Sequence, residues 1–231
     1  MSGFLINPFG FNSGSGITGT VVLLMPLDGD ATDSTSRHTP SNTGVAFNTV
    51  TPPPFQSESG DFDGTSDYIT VADDADFHQG SDDFTVELYV RQNIQVTNAL
   101  ITKWGPSNRE WALFMDSNGD LEFLWSTDGS NSFDVTYAIP SSVQNTWVHV
   151  AISRVGNTFY LCLDEEIVAT GDATGVTINE STRDVVVGAN NAGASAELTG
   201  RMAQVRIIQG QGLYSGSVSD PITVNPPFST S

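Results

Sequence analysis

Two acidic residues at the start of one strand-like run are the first candidates for chemistry. Glycoside hydrolysis needs a pair of carboxyl groups, one acting as acid and the other as base or nucleophile. The run DLEF (residues 120–123) offers Asp120 and Glu122, which period-two alternation places on one face. No third acid accompanies them, and the simpler interpretation is a turn acid followed by an exposed strand glutamate. We therefore predict no enzymatic activity and no catalytic residue, with a glycan hydrolase as the alternative.

The other nucleophilic and basic side chains do not suggest a catalytic set. Cys162 is the single cysteine, and its apolar surroundings are typical of a small buried core residue. His149 also lies in an apolar strand-like run, which indicates a core histidine with satisfied hydrogen bonds. No Gly-x-Ser-x-Gly elbow occurs between a strand and a helix.

An acidic loop follows the first strand-like run and could hold a metal. The segment LDGDATDSTS (residues 27–36) contains Asp28, Asp30 and Asp33. Calcium takes several oxygen ligands from loops of this kind, although the spacing is not that of an EF-hand. We predict a calcium site that uses Asp28 or Asp33. The alternative is that these aspartates only stabilise a turn.

A third pattern could bind sugar. Trp104, Trp111 and Trp125 lie in the middle of the chain, and the loop WSTDGSNS (residues 125–132) adds Asp128 and Asn131. A sugar site pairs an aromatic face with a few polar groups. We therefore predict a ligand site at Trp125, Asp128 and Asn131. Two alternatives remain, because tryptophans also fill sandwich cores and an Asp-Gly turn explains Asp128 without a ligand.

The elements that must position these residues are all strands. Runs such as TVVLLM (residues 20–25) and DFTVELYV (residues 83–90) are β-branched or alternate with period two. In the second run, Phe84, Val86, Leu88 and Val90 fall on one face, and Thr85, Glu87 and Tyr89 fall on the other. More than ten such runs, separated by turn signals, predict an all-β fold of two packed antiparallel sheets.

Composition narrows the range of partners. The chain has 231 residues and a net charge of −19 with only 8 Lys and Arg, so no nucleic-acid partner is expected. No apolar run reaches the length of a membrane span, so no membrane insertion is expected. The beginning of the sequence does not resemble a secretion signal.

Residues 1–19 differ from the rest of the chain. The segment GFLINPFGFNSGSGITG mixes apolar side chains with Gly, Ser, Asn and Pro, so it has no core of its own. We predict an N-terminal anchoring arm over residues 1–19 and a single domain over residues 20–231. The anchoring residues would be Phe4, Leu5, Ile6, Phe9 and Phe11, which would bind another subunit or another protein. The alternative is that the arm packs against its own domain.

The order of motifs resembles a known family. The motifs are FDGTSDYITV (62–71), DFTVELYV (83–90), TWVHVAISRVGNTFYLCLD (146–164), VVVGANN (185–191), GRMAQVRIIQGQGLYSG (200–216) and NPPF (225–228). Together they resemble the laminin-G-like branch of the concanavalin A-like lectin/glucanase superfamily over residues 20–228. The resemblance implies a jelly-roll sandwich of two antiparallel sheets (concanavalin A-like). Glucanases of this superfamily carry a Glu-x-Asp-x-x-Glu motif, which this sequence lacks.

Two details refine the resemblance. Relatives commonly carry Asp-Gly after the 158–163 run, whereas this chain reads Asp164-Glu165-Glu166, so we predict another turn type. The ending LYSG…PPF and the opening FLINPFGF are similar to segments of bacteriophage structural, fibre and other virion proteins. We therefore expect a phage virion surface protein, extracellular on the particle, in a homo- or hetero-oligomeric assembly with other virion proteins. Its lectin-like module would attach to host-surface glycan, or would serve only as a capsid or tail decoration.

Overall fold

The protein folds into strands and loops. In the computed structural model, the described residues are 16–92, 96–140, 143–191, 193 and 195–230. They contain fifteen strands and one short 3-10 helix, Ala75–Phe77. The predicted anchoring residues Phe4, Leu5, Ile6, Phe9 and Phe11 lie outside the described residues. The described residues contain no helix with the length and apolar character that crossing a membrane requires.

The strands form two antiparallel sheets. The eight-stranded sheet has the order β13-β12-β11-β6-β15-β4-β3, with β1 also paired to β15. It comprises β1 (Thr20–Met25), β3 (Ala46–Asn48), β4 (Ser59–Asp63), β6 (Phe84–Gln92), β11 (Val148–Val155), β12 (Thr158–Leu163), β13 (Glu166–Asp172) and β15 (Thr199–Gln209). The seven-stranded sheet has the order β10-β9-β8-β7-β14-β5-β2. It comprises β2 (Ser41–Thr43), β5 (Tyr68–Val71), β7 (Asn98–Lys103), β8 (Trp111–Met115), β9 (Asp120–Trp125), β10 (Phe133–Ala138) and β14 (Val185–Val187).

The main core lies between the sheets. Period-two alternation points Phe84, Val86, Leu88 and Val90 of β6 into it, and all four are fully buried. Strand β9 shows the same alternation, with buried and partly buried residues in strict sequence. The predicted all-β jelly-roll sandwich of two antiparallel sheets is confirmed, and each quoted strand-like run overlaps one of these strands.

The other face of the eight-stranded sheet is covered by the chain that follows β15. We call residues 210–228 the C-terminal cover. It is tied to β6 where the Leu213 amide donates to the Thr85 hydroxyl (2.9 Å) and to β11 where the Tyr214 amide donates to the Ser153 hydroxyl (3.2 Å). Phe228 is buried near its end. This sheet is therefore buried on both faces where the cover lies.

A charged group lies under the C-terminal cover. Glu87 of β6 is fully buried. Its Oε1 accepts from Nε of Arg206 at 2.8 Å, and its Oε2 accepts from the Tyr214 hydroxyl at 2.7 Å. The Nε2 atom of His149 lies 2.9 Å from Oε2. Although burial raises the pKa of Glu87, the hydrogen bond from His149 and the charge of Arg206 hold it below its ordinary value. We call these four residues the Glu87 network.

The end of the predicted arm is described from residue 16 onward, and its residues 17–19 pack against this domain. The amides of Thr18 and Gly19 donate to Oε1 of Gln211, at 2.6 and 2.9 Å, and Ile17 packs against the cluster around Val21 and Phe228. The start of the domain therefore lies beside the C-terminal cover.

Candidate functional site

The predicted sugar-binding loop joins β9 to β10 at one edge of the seven-stranded sheet. The Asp128 carboxylate organises it by accepting from the amides of Ser130 and Asn131, both at 2.8 Å, and from the Asn131 side chain at 2.6 Å. Because the anion accepts these bonds, they lower the pKa of Asp128 to about 2. Both predicted polar residues, Asp128 and Asn131, are exposed on this loop.

Trp125 does not offer a face to a ligand. Its side chain is only 6% exposed, and its ring contacts Phe159 with centroids 4.7 Å apart. Trp111 is fully buried and donates from Nε1 to the Phe77 carbonyl at 3.2 Å. The structure thus supports the core alternative for both tryptophans, because strands β8 and β9 point them between the sheets.

An aromatic residue that the sequence analysis missed is exposed beside the loop. Phe133, the first residue of β10, is 48% exposed. It pairs with Trp125 across the strands, and the two rings stack with centroids 6.0 Å apart and planes 23° apart. The buried tryptophan thus supports an exposed phenylalanine that presents a flat apolar face next to Asn131 and Asp128.

The loop that precedes β8 contacts the loop between β9 and β10. It lies on the other side of the sheet from Phe133. The Arg109 amide donates to the Gly129 carbonyl at 3.1 Å, and its guanidinium donates to the Ser130 carbonyl. That guanidinium lies 5.4 Å from the ring centroid of Trp104, which packs with Ala112 and Leu124 on the outer face. We call Trp104, Arg109, Asp128, Asn131 and Phe133, together with Arg183 beside Gly105, the rim.

A buried ion cluster lies at the base of the loop before β8, because Lys103 and Glu110 flank that loop. Lys103, at the end of β7, is fully buried, and its Nζ lies 2.6 Å from the Asp73 carboxylate and 2.9 Å from the Glu110 carboxylate. Glu110 also accepts from the Ser181 amide at 2.9 Å. Burial raises the pKa of Glu110 despite the nearby Lys103 charge. The single Lys103 charge is shared between two carboxylates of the same chain, which indicates a structural role.

The predicted calcium residues are engaged by the protein itself. Asp33 is buried, and its carboxylate accepts from the amides of Leu24 and Thr35, both at 3.0 Å, and from the Thr35 hydroxyl. Asp28 is exposed and accepts from the Glu58 amide at 2.7 Å. Within the described ranges, no three His, Cys, Asp or Glu side chains converge in a way that could hold a metal ion. A cation at Asp33 would have to displace these donors, and calcium binding stays a prediction.

The paired acids of β9 lie on the outer face of the sheet, away from the Phe133 side of the rim. Asp120 and Glu122 are both partly buried, and Phe114 and Thr136 pair with Glu122 from either side. Burial, together with the charges of Asp134, Asp116 and Asp120, raises the pKa of Glu122. A raised carboxyl pKa is a property of general acids, so this cluster is the place where a hydrolase would have its acid.

Comparison with known proteins identifies the family and the fold. The family described as the concanavalin A-like lectin/glucanases superfamily matches residues 63–211. No curated protein matches the sequence.

Several solved structures share the fold at low sequence identity. The binding domain of Paraclostridial Mosquitocidal Protein 1 aligns with a TM-score of 0.68 and 12% identity, covering 84% of this chain and 50% of that one. The botulinum neurotoxin serotype G binding domain aligns with a TM-score of 0.67 and 14% identity, covering 84% and 48%. The botulinum neurotoxin serotype D ligand binding domain in complex with N-acetylneuraminic acid aligns with a TM-score of 0.65 and 11% identity. The alignment covers 84% of this chain and 48% of that one. The chain spans about half the length of these structures.

Proposed function

We propose that this chain, which belongs to the concanavalin A-like lectin/glucanase superfamily, is a non-enzymatic module that binds glycan at the rim. The observation that carries the proposal is the exposed Phe133, stacked on buried Trp125 beside the polar loop of Asp128 and Asn131. Sugar rings present apolar CH groups to an aromatic face and hydroxyl groups to polar neighbours. The rim offers both.

Two further features support this site. The loop is held by Asp128, so Asn131 is positioned before a ligand arrives, which reduces the entropic cost of binding. One solved structure that shares the fold holds N-acetylneuraminic acid. Because this chain spans only about half of that structure, the comparison supports a binding module in general and does not locate the sugar.

The test is a pair of matched variants. Phe133→Ala removes the exposed ring, and we expect it to weaken glycan binding by about tenfold, the scale of one aromatic contact. Val218→Ala removes another exposed apolar side chain, far along the chain in the C-terminal cover, and should leave binding unchanged. A glycan array on the wild type followed by calorimetry on both variants measures this. A blank array would favour the alternative, a decoration protein without glycan binding.

We also propose that the module sits on the surface of a phage virion, as the resemblance of its two ends to virion proteins suggests. The arm would bind another virion protein through Phe4, Leu5, Ile6, Phe9 and Phe11. Burying such side chains stabilises by roughly 1.5–3 kcal/mol each, which together offsets the ordering of the arm. Deleting residues 2–16 should abolish incorporation into particles. Unchanged incorporation would contradict the arm's role while leaving glycan binding at the rim in place.

The module should not cleave the glycan it binds. The sequence has no Glu-x-Asp-x-x-Glu motif, and Glu122 stands among other acids on the outer face of β9. The wild type should release no reducing sugar from laminarin or bacterial polysaccharide. Release that is lost in Asp120→Asn or Glu122→Gln would establish the hydrolase alternative instead.

A further inference from the structure

Six of the eight cations of this acidic protein form two contrasting groups. Against 27 Asp and Glu there are 8 Lys and Arg. Four of these cations are ion-paired: Arg37 with Asp76, Lys103 with Asp73 and Glu110, Arg201 with Asp61, and Arg206 with Glu87. Arg154 differs from these four, because it is buried and donates to backbone carbonyls, among them those of Gly80 and Val176.

Two partly buried arginines at the rim form no ion pair within the described part of the chain. Arg109 donates from Nη1 to the Ser130 carbonyl. Arg183 donates to the Pro106 carbonyl at 3.3 Å and to the side-chain oxygen of Asn191. The Nε atoms of both are buried with no acceptor among the described residues. Carbonyl and amide oxygens orient a guanidinium group without supplying an opposite charge, so neither arginine has a carboxylate in direct contact among the described residues.

The loop from Trp104 to Arg109 holds both guanidinium groups. Arg183 fills the space beside Gly105, where an added Cβ would lie 2.2 Å from its central carbon, so the guanidinium group packs directly against the Gly105 backbone. Arg109 lies over the Trp104 ring at the other end of the same loop. The carboxylates of Asp128 and Asp184, on the adjoining segments, accept from the Ser130 and Asp73 amides respectively and form no direct ion pair with Arg109 or Arg183 among the described residues.

We propose that this loop is an anion subsite, in which Arg109 and Arg183 bind the carboxylate of an acidic sugar beside the Trp104 ring. The inference rests on the proposed glycan-binding function and specifies its ligand class. A guanidinium fork matches a carboxylate in geometry and charge, and charge-assisted hydrogen bonds are about twice as strong as neutral ones. Trp104 supplies an apolar edge for the sugar ring. The ligand is therefore a glycan that carries uronic or sialic acids.

The experiment begins with the wild-type protein on an array of neutral, sialylated, uronate-containing and sulfated oligosaccharides. It is run at about 0.15 M salt, where a screening length of about 8 Å suppresses the long-range repulsion from the net negative charge. We expect carboxylated glycans to dominate the hits. The strongest hit and its carboxyl methyl ester are then compared by calorimetry, with the free acid binding about tenfold more tightly.

Variants locate the subsite. Arg109→Gln should remove the preference for the acid over the ester, and Arg183→Gln should reduce it. Arg37→Gln changes the net charge equally at an arginine outside the rim and should leave the preference intact. Arg109→Lys keeps the charge without the planar fork and should retain only part of the preference for the acid. This variant also controls for loss of the Ser130 contact. Thermal melts establish that each variant is folded.

The outcomes separate the two hypotheses. Hits among neutral or sulfated glycans only, or equal binding of acid and ester, would overturn the carboxylate subsite while the glycan function stands. An acid preference that survives both Arg109→Gln and Arg183→Gln would also overturn it. A blank array removes the glycan function and the subsite together. Phe133→Ala should weaken acid and ester by the same factor, because its ring lies on the other side of the sheet.

Discussion

Charged and aromatic side chains lie both on the outer face of the eight-stranded sheet and at the rim of the seven-stranded sheet. The two regions differ in whether these side chains have partners within the chain. On the outer face, Glu87 accepts from Arg206 and from Tyr214 of the C-terminal cover, and it lies beside His149. At the rim, Arg109 and Arg183 have only neutral acceptors, and Phe133 is half exposed. The charged groups of the outer face are paired within the chain, whereas the arginines of the rim lack a carboxylate partner among the described residues and its Phe133 ring is half exposed.

This difference separates structural charge from charge available to a ligand. A buried charge that loses its partner is strongly destabilising, so a network such as that of Glu87 contributes to holding the C-terminal cover on the sheet. An arginine on a surface loop can remain without a carboxylate because water solvates it. Substitutions in the first region should therefore affect folding, whereas substitutions in the second should affect binding.

The largest effect is expected from Glu87→Gln. The change keeps the shape of the side chain but leaves Arg206 buried without its counter-charge, and we expect a loss of about 3–5 kcal/mol in the free energy of unfolding. Urea denaturation measures it. Glu166→Gln, at an exposed glutamate on the edge strand β13 of the same sheet, should stay within about 0.5 kcal/mol. A similar small loss for Glu87→Gln would mean that the cover does not depend on the network.

The next effect contrasts Phe133 of the rim with the buried Trp125 ring on which it stacks. Trp125→Ala removes a buried ring from between the sheets and should cost about 3 kcal/mol, the lower end of the range for core tryptophans, because the site is near an edge. Phe133→Ala removes the half-exposed partner and should cost less than about 1 kcal/mol. Thermal and urea melts of both variants test this. Equal losses would place Phe133 in the core and remove it as a ligand platform.

Acid should weaken the Glu87 network. Its folded pKa lies below the ordinary value of 4.5, so its contribution to stability is complete above that value and is lost as the pH falls through the folded pKa. The stability difference between wild type and Glu87→Gln should therefore shrink on going from about pH 7 to about pH 3. Urea melts at several pH values measure it. A difference independent of pH would show that the pKa of Glu87 is not lowered.

Local periodicity predicted most of the fold because it depends on neighbouring residues. The alternation in β6 correctly assigns Phe84 and Val86 to the core. The turn at Asp164 also follows the sequence, since the positive φ of 52° falls on Asp164, a residue type that tolerates it, and not on the glutamates. The short strands β2, β3 and β4 were missed because their sequences, SNT, AFN and SGDFD, carry few apolar residues, whereas the equally short β14 was found from its three valines.

The same alternation was not sufficient for the candidate site. It places Glu87 on the face away from the core, where a glutamate is normally solvated, but the C-terminal cover buries it. It turns Trp125 and Phe133 toward the same side, but β10 lies at the sheet edge, so only Phe133 remains exposed. Which strand forms an edge and where an irregular segment runs depend on contacts between residues far apart in sequence. Arg183 reaches the rim by the same kind of contact, 78 positions after Gly105.

The smallest effect concerns the Asp128 loop alone. The amides of Ser130 and Asn131 stabilise the ionised carboxylate and lower its pKa from 3.8 to about 2. The hydrogen-bonded loop should therefore be intact above 3.8 and be lost as the pH falls through about 2. An NMR titration of the Asp128 carboxyl carbon and of both amides should give one shared midpoint near 2, and Asp128→Asn should abolish the transition. A midpoint at 3.8 would mean that the loop is not preorganised, and Asn131 would then have to be ordered by the sugar itself.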